Sequence, residues 1–272
     1  MGLIDGEERQ ITGAVKKLLR ERLLAEFTGT FFLVFAIGVA VAGGGPNAPV
    51  AIGMLLGIQI FCFGSVSGGM FNPAVTLAVL LSGRNKITPL EAIYYVCSQA
   101  LGGLIGAAIA FACTEKTFCF HFQSNPGTGH TNNWASCLFL EIFFTMALCQ
   151  AVLHTGTSFD APNHYFGFAI GGTVMSAAFA CGGFDQGSFN PAVTFGINII
   201  NTMSAESAKL GIDDGDINTL VPDTASWFIY LFAPFLGSCG AALVFRGTRG
   251  EEYVDESPIM VLPKKDNLVT DS

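Results

Sequence analysis

The chain has 272 residues, of which 51% are hydrophobic and only 12% charged. A soluble domain carries about twice that charged share, so a soluble globular protein is excluded and a polytopic membrane protein is expected. The net charge of −8 comes without a basic patch or interleaved basic and aromatic residues, which excludes a nucleic-acid binder.

In chain order, Met1–Leu24 is charged and amphipathic, with no apolar core or small-residue cleavage site, so no signal peptide is expected. Six apolar stretches of membrane-spanning character follow: Arg22–Ala42, Pro49–Val66, Thr88–Cys113, Trp134–His154, Tyr165–Cys181 and Thr224–Phe245. The hexapeptide Phe71-Asn72-Pro73-Ala74-Val75-Thr76 comes after the second span. It returns unchanged after the fifth as Phe189-Asn190-Pro191-Ala192-Val193-Thr194. Asn is a strong helix N-cap, and Pro at the first helical position gives up only a donor that has no partner there. Each box then runs into a short apolar stretch, Val75–Leu81 and Val193–Ile200. A helix of about ten residues is ~15 Å long, half of a ~30 Å hydrocarbon core.

The order span, span, half-helix, span therefore occurs twice, and Glu26 and Glu141 precede their boxes by 46 and 49 residues. An odd number of crossings inverts the second half, so the half-helices enter from opposite faces and meet near the middle. With both termini cytoplasmic, 11 of the 13 basic residues fall inside, leaving Lys116 and Lys209 outside, as the positive-inside rule expects. Asp213, Asp214, Asp216 and Asp223 fall in an outer loop that lacks calcium-loop spacing and reads as solvated. No two of the eight cysteines are spaced as Cys-x-x-Cys. Seven lie in or at the ends of apolar segments as packing or lipid-facing thiols, and Cys119, in a connecting loop, is expected to be the most accessible.

An N-cap Asn spends its side-chain oxygen on the helix amides, which leaves the NH₂ groups of Asn72 and Asn190 free to donate into a lumen. Two positive helix ends at one point repel a cation or hydronium and leave a neutral solute unopposed. Gly68, Gly69 and Met70, and Gln186, Gly187 and Ser188, precede the boxes in stretches too irregular for helix. Unpaired backbone at membrane depth is tolerated where it lines water.

Over Glu21–Phe245 the chain resembles the aquaporin (major intrinsic protein) family. The resemblance is carried by the two Asn-Pro-Ala boxes (Asn72, Pro73, Ala74 and Asn190, Pro191, Ala192), Ala25-Glu26-Phe27, Gln99, Glu141 and Pro234-Phe235-Leu236-Gly237. It implies an all-α membrane protein of six transmembrane and two half-membrane helices, assembled as a homotetramer with one pore per monomer and no cofactor. It also implies a channel domain over residues 22–246 between cytoplasmic segments 1–21 and 247–272. By similarity, Gly68, Gly69, Met70, Gln186 and Ser188 supply pore carbonyls, Glu26 and Glu141 support the loops, and Leu33, Leu148 and Val174 form the apolar wall.

The family's selectivity filter maps onto Ile52, Ala178, Gly187 and Val193. Water-selective members carry an aromatic, a His and an Arg there, and this chain has none of them. Thr194 stands where glycerol-conducting members carry Asp. The resemblance is thus to a divergent, protist- or plant-like member with a wide, apolar filter. Water and at least one larger neutral solute such as glycerol, urea, ammonia or hydrogen peroxide are expected to pass. The family's mercury-sensitive position is Gly187, so weak mercurial block is expected unless Cys181 reaches the lumen.

His154 and His164 flank the cytoplasmic loop Thr155–Asn163, and Ser257-Pro258 lies in the polar tail. The inverted repeat also suits an ion-coupled transporter, and the scaffold suits a non-conducting adhesion or assembly protein. Glu26 and Glu141 fit scaffolding better than ion coupling, and no nucleophile–base set or metal spacing points to an enzyme. Plasma membrane and vacuole-like compartments are both compatible with the chain.

Overall fold

The computed structural model of the chain describes residues 4–122, 133–159, 164–182, 184, 186–209 and 221–253. Among them are eight α-helices and no strand: α1 (Ile4–Ala42), α2 (Ala48–Ser67), α3 (Pro73–Leu81), α4 (Pro89–Thr114), α5 (Trp134–Ala151), α6 (Phe166–Cys181), α7 (Pro191–Lys209) and α8 (Thr224–Thr248). A π-helical turn, Val152–Thr157, prolongs α5, and a 3₁₀ turn, Gly250–Tyr253, follows α8.

Local chemistry sets where the helices begin. Asn72 is extended (φ −159°, ψ 121°), accepts the Ala74 amide at 2.8 Å and hands the chain to Pro73 at the first helical position. Thr88 opens α4 through a capping box with Glu91, again followed by Pro. Asn133 caps α5 through the Ser136 amide, and Asp223 caps α8 through the Ser226 amide at 2.7 Å. Each cap satisfies a donor that the first helical turn leaves without a partner.

Five segments are long and apolar enough to cross a bilayer: Leu19–Ala42, Ala48–Ser67, Pro89–Thr114, Trp134–Thr157 and Thr224–Thr248. The remaining expected span, α6, is an apolar helix of only 16 residues. One expectation is corrected outright. The second half-helix does not end near Ile200, because α7 runs 19 residues to Lys209, twice the length of its nine-residue counterpart α3. Its extension is held by Asn198, whose side chain accepts the Phe120 amide at 2.8 Å, and by Asn201, which donates to the Thr117 hydroxyl at 3.0 Å.

The packing shows the duplication. α1 lies along α4 as α5 lies along α8, α4 holds α7 as α8 holds α3, and α2 crosses α6 between the halves. Small residues permit the tightest crossings. A side-chain carbon added to Gly196 would stand 2.5 Å from the Gly103 carbonyl oxygen, and one added to Gly103 2.5 Å from that of Ala192. α4 and α7 therefore meet backbone to backbone, as small residues allow between membrane helices.

The two ends of the bundle differ. One collects Arg22, paired with Glu91 at 2.8 Å, and Arg84, paired with Glu252 at 2.6 Å. At the other, segment 117–122 lies over α7 and α8, and the Phe122 amide donates to the Ser226 hydroxyl at 3.3 Å. This fold-back corrects the expectation for Cys119. It is fully buried, and burial pushes its thiol up to about 11. The exposed thiols are Cys62, Cys97, Cys113 and Cys239 on helix surfaces, while Cys137, Cys149 and Cys181 are buried. Asp213, Asp214, Asp216 and Ser257-Pro258 lie outside the described residues.

Candidate functional site

Before each box the chain makes the same left-handed excursion. Gly68 (φ 96°) ends α2, Gly69 (φ 62°) follows, and Phe71 itself sits at φ 47°; in the second half Gly187 has φ 65° and Phe189 φ 52°. Glycine takes such angles freely, whereas a phenylalanine there is strained by about 1 kcal/mol or more. Two buried carboxylates hold both strained residues. Glu26 Oε1 accepts the Ser67 hydroxyl at 2.6 Å and the Met70 amide at 3.0 Å. Its Oε2 accepts the Phe71 amide at 2.7 Å and Gln99 Nε2 at 2.8 Å. Glu141 takes the Ser188 amide at 2.6 Å and the Phe189 amide at 2.8 Å. Charge-assisted bonds of this kind are roughly twice as strong as neutral ones. Gln99 also donates to the Thr76 hydroxyl at 2.9 Å, which binds the box to α4.

The asparagines meet across the molecule. Asn72 Nδ2 donates to the Phe189 carbonyl at 2.8 Å, and Asn190 Nδ2 donates to the Phe71 carbonyl at 2.9 Å. This corrects the expectation that both NH₂ groups are wholly free. An amide NH₂ has two hydrogens, one is spent on the opposite loop, and one remains for the space between. The crossed bonds lock the starting ends of α3 and α7 face to face.

Between them lies a cavity lined by Asn72, Asn190, Phe71, Phe189, Met70, Ser188, Val75 and Val193, together with an apolar wall from four spans. Leu33, Leu148 and Val174 belong to that wall, as do Ile37, Leu56, Ile60, Val152 and Ile170. The cavity volume is about 30 Å³. A water needs about 10–15 Å³ on this measure, so the cavity has room for about two.

Of the four expected filter residues only Val193 lines this cavity; Ile52, Ala178 and Gly187 do not. Ile52 stands one helical turn, about 5–6 Å, beyond Leu56, and Ala178 one turn beyond Val174. Both displacements run toward the same end of the bundle, where segment 117–122 lies. Ile52 is buried, while Ala178 and Gly187 are half-buried. Among the expected carbonyl residues, Met70 and Ser188 line the cavity, Gly68 and Gly69 form the turn beneath it, and the side chain of Gln186 accepts the His121 amide at 2.8 Å. Sequence reasoning missed the carbonyl roles of Phe71 and Phe189, although each opens its copy of the hexapeptide. It also missed Ile37, Leu56, Ile60, Val152 and Ile170, which nothing local distinguishes from other apolar helix residues.

Cys181 is fully buried against Ala177 and Phe189 and does not line the cavity. Mercuric chloride is therefore expected to leave osmotic water flux unchanged. Strong block that is lost in Cys181→Ser would contradict this placement.

Comparison with known proteins agrees with the geometry. The family model described as major intrinsic protein matches residues 14–245. The aquaglyceroporin of Toxoplasma gondii is 30% identical over 245 residues, covering 89% of this chain and 83% of that protein. Aquaporin A of Dictyostelium discoideum is 29% identical over 253 residues, covering 88% and 82%. The solved aquaglyceroporin of Plasmodium falciparum shares the fold, with a TM-score of 0.67 at 20% identity over 84% of this chain and 95% of that one. A duplicated bundle with two facing helix starts and a family match over most of its length make this chain a member of the major intrinsic protein (aquaporin) family, an integral membrane channel for water or small solutes and not an enzyme.

Proposed function

We propose that the channel passes water and at least one larger neutral solute, among glycerol, urea, ammonia and hydrogen peroxide, and excludes ions and protons. The crossed pair Asn72–Phe189 and Asn190–Phe71 carries this reading, because it points two positive helix ends at one small apolar cavity. A passing solute is oriented by the remaining amide hydrogens while the greasy wall offers no competing bond. A cation there loses its hydration and meets the same sign of charge from both sides.

Ile52, Ala178, Gly187 and Val193 form the filter on the side of segment 117–122. Small side chains at two positions and aliphatic ones at the others make it wide and poor in hydrogen bonds. Water fits the central cavity as it stands.

The channel domain spans residues 22–246, the Arg84 end faces the cytoplasm with both termini, and four copies assemble in the plasma membrane or a vacuole-like membrane. Stopped-flow light scattering of proteoliposomes with each solute tests the solute range. Uptake of at least one larger solute above that of empty vesicles is expected, and exclusion of everything but water would overturn the reading.

A further inference from the structure

A buried ion pair lies at the cytoplasmic end, outside the cavity. Arg84, just after α3, donates through Nη1 to Glu252 Oε2 at 2.6 Å and to the Thr157 carbonyl at 2.8 Å. Its Nη2 donates to the Thr157 hydroxyl at 2.5 Å, and its guanidinium lies 4.2 Å from the centre of the Phe245 ring. Glu252 Oε1 accepts the Ser158 hydroxyl and, at 3.1 Å, the Phe159 amide. Tyr253 donates to the Ser82 carbonyl at 2.7 Å. Both charged side chains are only 4% exposed. An ordinary rim salt bridge is solvated and contributes little, whereas this one is enclosed and shared among three chain segments.

What the pair grips is the end of α5. That helix finishes in the π turn Val152–Thr157, a form that collects at functional places, and Val152 lines the cavity. The anchors come from the ends of α3 and α8. Among the described residues α8 gives none to the cavity wall and α3 gives only Val75. The grip therefore draws the end of α5 toward α3 and α8, away from Ile60 across the lumen.

We propose that Arg84 and Glu252 form a latch that keeps the cytoplasmic half of the pore open, with residues 250–253 as its releasable part. The proposal rests on the channel reading. Closed, the latch fixes Val152; released, it lets the last turns of α5 relax into the lumen. Burial raises the Glu252 carboxyl, but bonds from Ser158, Arg84 and the Phe159 amide, with the Arg84 charge, outweigh it and hold the group below the ordinary carboxylate value. The other ionisable groups around the latch are Arg246, over the Tyr253 ring, Glu251, paired with Arg249, and His154, against Phe245. A depressed carboxylate keeps its contribution above its unfolded value and loses it as pH falls through the folded one. The latch thus stays shut from neutral to mildly acidic pH, and its release needs a competing partner or a modification.

The test uses full-length protein in proteoliposomes, comparing native with Glu252→Gln, which keeps the side-chain shape, and Ser158→Ala, which removes one donor and no charge. In Glu252→Gln, water flux is expected to fall about threefold or more. Hydrogen exchange of Val152–Phe159 is expected to rise about tenfold while the first turn of α3 stays protected. Ser158→Ala moves both readouts the same way by less. Native flux with an unchanged Glu252→Gln flux and exchange pattern would overturn the latch alone. Native vesicles no more permeable to water than empty ones would overturn the channel reading and the latch together.

Discussion

Val193→Arg is expected to cut glycerol and urea uptake by about tenfold or more while reducing water flux far less, because size discrimination follows the room left at the narrowest point. Val193 is 1% exposed, sits in the first turn of α7 and lines the central cavity. A guanidinium there fills volume that a larger solute needs and adds a fixed positive charge. It also stands at the positive end of a helix, an unfavourable place for a cation. Val193→Leu separates the two effects, since it narrows without charge. Stopped-flow measurement on native and both variants, normalised to inserted protein, decides the matter. Equal loss for every solute would place size selection elsewhere.

Replacing Glu26 should be more damaging still. The carboxylate accepts four hydrogen bonds, from the Ser67 hydroxyl, the Met70 and Phe71 amides and Gln99. Glu26→Ala takes the shared acceptor from four buried donors, of which Gln99 keeps its bond to Thr76, and removes the charge that holds Phe71 left-handed. Breaking such a buried polar network costs about 3–5 kcal/mol. The Phe71 carbonyl then drifts, Asn190 loses its acceptor and the facing helix ends part. We expect a sharply lowered unfolding temperature in detergent and loss of water flux. Glu26→Gln should fall between, because one acceptor oxygen becomes a donor aimed at other donors. A Glu26→Ala protein that conducts like the native one would show that Glu26 does not support the pore.

Much of this architecture is legible in the residues because it is written locally. Asn-Pro starts a helix wherever it stands, so the beginnings of α3 and α7 follow from two residues each. The spans follow from length and apolarity, and the repeat foretells the paired packing of α1 with α4 and α5 with α8. What escaped depends on distant partners. The amide of Asn72 finds its acceptor 117 residues away, and that of Asn190 finds its own at 119. Cys119 sits in a segment that reads as an open loop until Asn198 and Ser226 pull it onto the bundle. α7 outlasts its apolar run because Asn198 and Asn201, polar by type, are buried and bonded to that same segment. Arg84 and Glu252 are 168 residues apart, and neither has a local pattern that names the other.

On the proposed function, two facing helix ends pass neutral molecules and stop charge. This is tested most directly by measuring osmotic water flux and the leak of potassium and protons in the same proteoliposomes. Water flux well above that of empty vesicles is expected, with both ion leaks at the empty-vesicle level. Ion leaks that rise in proportion to inserted protein would contradict the proposed function.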